Sequence, residues 1–485
     1  MLAGNTDIIS IVLIYFLFLI LIGLNGYRKT NTFSDYIIGG RKLGPVIGAM
    51  NVGASDMSSW VLMGLPGAFY LFGLNQIWII IGLLLGSYAS WKIVAIRLRK
   101  YTEIANNSLT LSSFLENRFQ DKSGILRVLN SVVTLFFFTF YIASGFVGSA
   151  SLFSSLFEVD YQTTLFFSIF IIISYALIGG FLAVSWGDLF QGILILFALI
   201  FVPFGIFFSI NGFDGFFGVI QNTSPNHLNP FYNLTFFGIL TTLGWGLGYF
   251  GQPHIISKFM SIKDSKLINS ARRICITWTA LSMIGAASVG ILGYVFFIQN
   301  PLKLHETVFL LSSKVIFSSV IMGFVVAAFL AAIMSTINGQ IILSSGSLTE
   351  DFYRKFFRKN ASDKELIIIT RFFVVVVAFV GYFIAKNENA TVLNIVSYAW
   401  SGLGASIGPI ILLSLFWKRA TKYGAMAGIL SGAFSSILYD KLDLFAHSLL
   451  PAFLTSTLFI VVFSLLSLKH IPSNVEDQFK KIKNA

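Results

Sequence analysis

One stretch of the chain combines a residue that could bind a cation with residues that interrupt a membrane helix. It reads ASDMSSWVLMGLPG, Ala54 to Gly67, and lies inside a long apolar run. By the predicted span limits, Asp56 is the only acidic residue well inside an apolar span. An unpaired aspartate at mid-membrane costs about 2.5 to 3.5 kcal/mol, so it should face the protein interior or water. Three roles follow: Asp56 binds a cation, carries a proton, or braces a helix break by accepting backbone hydrogen bonds.

Hydroxyl groups on a second apolar segment could complete a cation site. A broken helix leaves backbone carbonyls that lipid cannot satisfy, and hard cations take oxygen ligands. The segment MSTINGQIILSSGS places Ser335 and Thr336 shortly after the small residues Ala331 and Ala332. Hydroxyls in membrane helices also commonly bond back to carbonyls of their own helix. The residues alone leave both interpretations open for this pair.

Aromatic residues near two helix breaks are candidates for contact with an organic substrate. The second break is predicted at GWGLGYFGQP, Gly244 to Pro253, which holds four glycines and a proline. Trp60 follows the first break, Trp245 and Tyr249 lie in the second, and Tyr141 is a further candidate. The same glycines match GxGxxG, but they lie in a membrane span with no strand before them. We therefore expect no dinucleotide site.

The sequence carries no pattern typical of an enzyme. Its five histidines are scattered, without the ligand spacing of a transition-metal site. No GxSxG, HExxH or Walker A motif occurs. We expect no enzyme activity and no cofactor. Because no nucleotide-binding loop is present, uphill transport would have to draw on an ion gradient or on a partner.

The elements that position these residues are membrane helices. Of the 485 residues, 56% are hydrophobic and 11% charged, with a mean hydropathy of +0.81, unlike any ordinary soluble domain. The apolar blocks are long enough to cross a hydrocarbon core of about 30 Å. We predict an all-α membrane protein with thirteen spans, at approximately 8–26, 46–73, 76–97, 125–156, 163–182, 188–210, 233–254, 273–298, 306–346, 366–386, 391–416, 423–440 and 448–468.

The basic residues predict the orientation of these spans. A net charge of +12 could indicate nucleic acid as a partner, but nearly all Lys and Arg fall in alternate loops and span ends, including Lys258–Arg273. Such a bias places those loops in the cytoplasm. We predict a multi-pass protein of the plasma or inner membrane, in contact with the lipid bilayer and not with nucleic acid. Its amino terminus is expected outside and its carboxyl terminus in the cytoplasm.

The two predicted helix breaks lie five spans apart, in segments that run in opposite directions. Spans two to six and seven to eleven therefore form two five-span units of inverted orientation. Interrupted segments at matching positions of inverted halves indicate a transporter binding site. We predict one integral membrane transporter domain over 1–485, with core repeats at approximately 46–210 and 233–416.

Five motifs resemble the sodium/solute symporter family, and within it the sodium/proline symporters. They are ASDMSSWVLMGLPGA, IGGFLAVSWGD, GWGLGYFGQPHIISKFM, AAIMST and VSYAWSGLGASIGP, and the similarity runs from about Asp35 to Arg419. The resemblance implies a LeuT-type core of two inverted five-helix repeats, with one extra helix before it and two after. It also implies uptake of L-proline together with Na⁺ by alternating access. Na⁺ would be the co-transported ion rather than a cofactor, and no obligate protein partner is implied.

The resemblance also implies roles for individual residues. The implied sodium ligands are the carbonyls of Ala54, Met57 and Ala332 and the hydroxyls of Ser335 and Thr336. Asp56 would act near this site or in forming it. The positions implied for proline are Ser58, Ser59, Trp60, Tyr141, Trp245, Tyr249 and Pro253. Ser59 stands where the proline carriers usually have glycine, which bears on selectivity for proline.

Gating or coupling roles are implied for Arg41 and Asp188. Both match positions near the predicted cytoplasmic ends of spans, where ion pairing at the membrane surface is the alternative interpretation.

Two other functions remain open at this point. The chain could carry another small amino or carboxylic acid, or couple its transport to H⁺. It could instead be a transporter-like sensor, although fused sensors of that kind need a long signalling module and only a short segment follows Leu468.

Overall fold

The computed structural model of the chain describes residues 2–387, 391–442, 445 and 447–484. Their regular structure is helical, apart from one isolated parallel bridge between Leu43 and Ile262. The α-helices, numbered in chain order, are α1 (Leu2–Lys29), α2 (Phe33–Ile38), α3 (Pro45–Asp56), α4 (Leu65–Phe72), α5 (Ile77–Ala89), α6 (Ile96–Ile104), α7 (Leu111–Phe119), α8 (Ile125–Phe157), α9 (Tyr161–Ser209), α10 (Gly212–Thr223), α11 (Phe236–Leu243), α12 (Pro253–Phe259), α13 (Ile268–Phe296), α14 (Val308–Ile316), α15 (Ser319–Ser347), α16 (Asp363–Ala385), α17 (Val392–Phe416), α18 (Lys422–Lys441), α19 (Leu449–Leu466) and α20 (Val475–Asn484).

Nine helical segments of the described chain are long and apolar enough to cross a membrane. Two further predicted spans, 163–182 and 233–254, correspond to shorter apolar segments, Tyr161–Leu177 and Phe236–Phe250. The predicted span 46–73 is divided between α3 and α4, and the predicted span 423–440 is α18. The prediction of an all-α membrane protein is confirmed, whereas the count of thirteen spans stays a prediction.

The helix α9 covers two predicted spans as two limbs that meet at a kink at Gly180. Gly180 has φ +60°, a conformation that costs other residues energy, and an added Cβ would lie 2.8 Å from Cδ2 of Tyr36. The second limb of α9 starts at this bend, so Asp188 lies about two turns inside it. Asp188 is fully buried. The segment Gly180–Ser209 is apolar and long enough to cross a membrane, so Asp56 is not the only acidic residue inside such a segment of the described chain. That Asp188 lies near the cytoplasmic end of its span stays a prediction.

The centre of the bundle is formed by α15 and α17. In each, 83% of the most apolar 18-residue window is buried, against 22% in α1. The short helix α3 packs against α9, α12, α13 and α15. The carboxyl end of α3, where the first helix break occurs, therefore lies in the protein interior.

Loops that are rich in basic residues meet on one face of the bundle. Arg127, at the start of α8, bonds to the buried carboxylate of Asp351 at 2.6 Å. Arg118 donates to the carbonyl of Ser414 at 3.0 Å. These contacts join the segment before α8 to the segment after α15 and to the end of α17. The three segments were predicted to share one side of the membrane, and the contacts agree with that grouping.

Candidate functional site

The predicted span 46–73 is broken directly after α3. Met57 leaves the helical conformation, with φ −85° and ψ 76°, and a π-helical segment begins at Trp60. The amide of Ser58 bonds to the carbonyl of Asp56 at 3.1 Å. Serine and aspartate favour such breaks because their side chains compete for nearby backbone groups. The carboxyl end of α3 thus presents carbonyls that lack a helical partner.

Three of the candidate sodium ligands converge on one point. The hydroxyl of Ser335 lies 2.8 Å from the carbonyl oxygen of Ala54 and 3.0 Å from that of Ala332. The two carbonyls belong to different helices, α3 and α15, so this hydroxyl joins the broken helix to the central one. Uncharged oxygens from two helices can surround a hard monovalent cation.

The other two candidate ligands, Met57 and Thr336, are adjacent to these residues in sequence and are buried. The hydroxyl of Thr336 has no hydrogen-bond partner in the described chain. A buried hydroxyl without a partner is unfavourable. The hydroxyl of Thr336 is therefore available to bind a cation.

Asp56 connects the two broken spans. Its Oδ2 accepts a short hydrogen bond from the hydroxyl of Tyr249, and its Oδ1 has no partner in the described chain. The indole Nε1 of Trp60 donates to the Asp56 carbonyl at 2.8 Å. The carboxylate is 2% exposed. A neutral donor, and no basic side chain, thus holds the Asp56 carboxylate in the described structure.

The predicted span 233–254 is broken over Gly244–Phe250, a 3₁₀-helical segment between α11 and α12. Trp400 of α17 bonds to the start of this segment and to the residues that follow it. Its Nε1 donates to the carbonyl of Trp245 at 2.9 Å, and its carbonyl accepts from the side chain of Gln252 at 3.0 Å. A Cβ at Gly248 would lie 2.0 Å from the Trp400 Nε1. The glycine is required because the segment packs so closely against the tryptophan.

Several of the proline candidates lie in two neighbouring groups. Trp60 and Tyr249 meet through hydrogen bonds to the same aspartate. The ring of Tyr141 packs edge-on against His254, with centroids 5.4 Å apart, and Pro253 precedes that histidine at the start of α12. Both imidazole nitrogens of His254 lack partners in the described chain. Ser58 lies in the break itself, beside the first group.

Two further proline candidates pack against residues outside these two groups. The side chain of Ser59 packs toward α8, since a Cβ added at Gly148 would lie 2.6 Å from the Cβ of Ser59. The ring of Trp245 packs edge-on against His447 at 5.2 Å. That all seven candidates contact one substrate stays a prediction.

Asp188 forms an ion pair in the interior with Lys258 of α12. The Lys258 Nζ lies 3.3 Å from Oδ2 of Asp188, and both side chains are at most 1% exposed. The hydroxyl of Ser55 lies 3.1 Å from the same carboxylate oxygen. Lys258 lies in the last turn of α12, and its assignment to the cytoplasmic side stays a prediction. Sequence reasoning overlooked Ser55 and Lys258, although a lysine five residues after Pro253, within an apolar run, was an available signal.

Arg41 binds three segments on the face that carries the basic loops. Its guanidinium donates to Thr102 Oγ1 at 3.1 Å and to the carbonyls of Met260 and Ser108 at 2.9 Å each. Burial and the neighbouring Arg99 lower the pKa of Arg41 to about 10, so it stays charged at neutral pH. Arg41 thereby ties the entry to α3 to the end of α12.

Comparison with known proteins agrees with this architecture. The family model described as the sodium:solute symporter family matches residues 36–432. The high-affinity proline transporter PutP of Bacillus subtilis (strain 168) is 46% identical over 466 residues, which cover 95% of this chain and 98% of that protein. The sodium/proline symporter of Escherichia coli (strain K12) is 44% identical over 471 residues, 96% of this chain and 94% of that protein.

A solved structure shows the same fold. A sodium-coupled sialic acid symporter, in a substrate-bound outward-open state, aligns with a TM-score of 0.81 at 17% identity, over 95% of this chain and 98% of that chain. The likeness confirms the predicted LeuT-type helical architecture. The chain belongs to the sodium:solute symporter family.

Proposed function

We propose that the chain is a secondary active transporter that couples inward movement of Na⁺ to uptake of L-proline. The observation that carries this function is the contact between the Ala54 carbonyl, at the end of α3, and the Ser335 hydroxyl. It occurs in a chain that is 46% and 44% identical to two proline transporters. The protein is a transporter and not an enzyme. Na⁺ is a co-transported ion, and the chain requires no cofactor.

The sodium ion binds between α3 and α15. Its ligands are the carbonyls of Ala54, Met57 and Ala332 and the hydroxyls of Ser335 and Thr336. The convergence of three of these oxygens and the unpartnered hydroxyl of Thr336 support this set. The carboxyl end of a helix also carries partial negative charge, which favours a cation there.

Proline binds beside the sodium ion, between the two broken spans. Its residues are drawn from Ser58, Ser59, Trp60, Tyr141, Trp245, Tyr249 and Pro253. The hydrogen bonds that join Trp60 and Tyr249 through Asp56 support a pocket at this point. The helical segment that starts at Trp60 directs its amino end toward the break, where an anionic carboxylate group is favoured.

Coupling follows from the fact that the sodium ligands lie on two separate helices. An ion that joins α3 to α15 favours the arrangement in which proline fits, and each ligand then strengthens binding of the other by the same factor. One charge that crosses 100 mV gains about 2.3 kcal/mol, which supports about 50-fold accumulation. Arg41 and Asp188 act in opening and closing the path on the cytoplasmic side, a role supported by the contacts of both with neighbouring segments.

The protein lies in the plasma or inner membrane with its amino terminus outside and its carboxyl terminus in the cytoplasm. The collection of basic loops on one face of the bundle supports this orientation. The chain forms a single transport domain with inverted repeats at about 46–210 and 233–416. The matching positions of the two helix breaks support this division.

Uptake of radiolabelled proline into proteoliposomes tests this function. With an inward sodium gradient we expect rapid uptake, which stops when choline replaces sodium. Unlabelled proline should compete more strongly than other amino acids or small carboxylic acids. Equal uptake in choline contradicts sodium coupling, uptake driven by a pH gradient alone indicates H⁺ coupling, and stronger competition by another solute reassigns the substrate.

A further inference from the structure

The Lys258 ammonium occupies a position built like a cation site. Its Nζ contacts three oxygens: the carbonyl of Asn51 at 2.8 Å, the hydroxyl of Ser55, and Oδ2 of Asp188 at 3.3 Å. An ammonium has three N–H donors and no acceptor, so three oxygens satisfy it. All four residues are at most 1% exposed.

Two of the residues that contact this ammonium carry a further oxygen without a partner. Oδ1 of Asp188 and Oδ1 of Asn51 are also buried and have no hydrogen-bond partner in the described chain. One carboxylate, one carbonyl and one hydroxyl, with further oxygens nearby, form a donor set that suits a hard cation. The side chain of Lys258 brings the positive charge to this position from α12.

This position adjoins the proposed sodium site. Ser55, which contacts the ammonium, directly follows Ala54, and its hydroxyl lies 3.2 Å from the carbonyl of Ser335. The hydroxyl of Ser335 bonds in turn to the carbonyl of Ala54. Two positive charges, one mobile and one covalently attached, therefore share neighbouring oxygens of α3.

We infer that Lys258 sets the number of sodium ions that the protein binds: its ammonium takes the place of a second Na⁺ between Asn51, Ser55 and Asp188. The inference rests on the proposed sodium-coupled transport of proline. A buried carboxylate that loses its cationic partner is strongly unfavourable. Without the ammonium, Asp188 recruits a cation from solution, and in sodium medium that cation is Na⁺.

Counting bound ions tests this inference. Purified full-length protein is equilibrated with sodium-22 and saturating proline, and the ions bound per chain are measured. We expect about one ion in the wild type and about two in Lys258→Met, which has a side chain of similar length without the charge. Lys258→Arg, which keeps a cation, and the neutral pair Lys258→Met with Asp188→Asn should each return to about one ion.

Lys266→Met provides the matched control. Lys266 is an exposed lysine in the segment that follows α12, and its loss should leave the count at one. If Lys258→Met does not fold, Lys258→Gln, which keeps a donor for the Asn51 carbonyl, supplies the same comparison.

The outcomes separate the inference from the proposed function. A wild type that binds no sodium and shows no sodium-dependent uptake of proline contradicts the function. Two outcomes overturn the inference and leave the function intact. In the first, the wild type shows sodium-dependent uptake and binds two ions. In the second, the Lys258→Met protein binds proline and still holds only one ion.

Discussion

Two buried carboxylates near the end of α3, those of Asp56 and Asp188, are held in different ways. Asp188 is paired with the Lys258 ammonium at 3.3 Å. One carboxylate oxygen of Asp56 accepts a hydrogen bond from the neutral hydroxyl of Tyr249, and the other has no partner in the described chain. The charge of Asp188 is thus compensated within the protein, whereas that of Asp56 remains available to attract a cation.

This difference assigns separate tasks to two similar residues. An uncompensated carboxylate near free helix carbonyls favours the binding and release of a mobile ion. A carboxylate paired with lysine holds its own structural cation and binds α9 to α12. Sodium binding should therefore depend on Asp56, and the packing of the broken helices should depend on Asp188.

The largest effect is expected from Asp56→Asn. The amide keeps the size of the side chain but removes the charge, and interactions with a charged group contribute about 3 kcal/mol at most, or about 100-fold. The sodium concentration for half-maximal proline uptake should rise by about this factor. The dependence of initial uptake rate on sodium measures it. An unchanged sodium dependence would mean that the two carboxylates do not differ as described.

A smaller effect is expected from Thr336→Val, which removes one proposed ligand and keeps the shape of the side chain. Loss of one hydroxyl contact of about 1 to 1.5 kcal/mol should raise the half-maximal sodium concentration by about tenfold. Folding should be little affected because this hydroxyl has no partner in the described chain. Melting temperature and sodium-activated uptake are measured on the same preparation.

The matched control for this change is Ser345→Ala. The hydroxyl of Ser345 bonds back to the carbonyl of Ile341 at 2.7 Å, so its loss should not alter sodium activation. Thr336→Ser, which keeps the hydroxyl, should retain most of the sodium activation. Equal sodium dependence in Thr336→Val and Ser345→Ala would remove Thr336 from the site.

The smallest effect is expected from Ser59→Gly. This side chain packs toward Gly148 of α8, and its hydroxyl has no hydrogen-bond partner in the described chain. Apparent proline affinity should change by about threefold or less, with sodium activation unaltered. Competition between labelled proline and other amino acids measures the change. A large gain in proline affinity would show that the serine narrows the pocket, in agreement with the interpretation from sequence.

The helix breaks could be predicted because their causes are local. Serine and aspartate after Ala54, and the glycines of the Gly244–Phe250 segment, weaken a helix through their own backbone preferences. The apolar blocks likewise predict membrane helices from their length alone. The candidate ligands came from the resemblance to one family, and among them the hydroxyl of Ser335 lies within hydrogen-bond distance of the carbonyls of Ala54 and Ala332.

The pairings between distant residues could not be predicted. Asp188 and Lys258 are 70 positions apart, and they meet because α3 packs against both α9 and α12. The charge pattern placed Lys258 among the cytoplasmic residues, since a basic residue near a span end ordinarily signals topology. Trp400 was also missed, because its role depends on the close packing of Gly248, a residue distant in sequence, against its ring.

Proline accumulation at steady state tests most directly that one mobile sodium ion is coupled to proline. Proteoliposomes that contain the wild-type protein are given a tenfold inward sodium gradient with the membrane potential held at zero. Coupling to one ion predicts about tenfold accumulation of proline, and no accumulation when choline replaces sodium. Accumulation of about a hundredfold would require two ions, and accumulation in choline would contradict sodium coupling altogether.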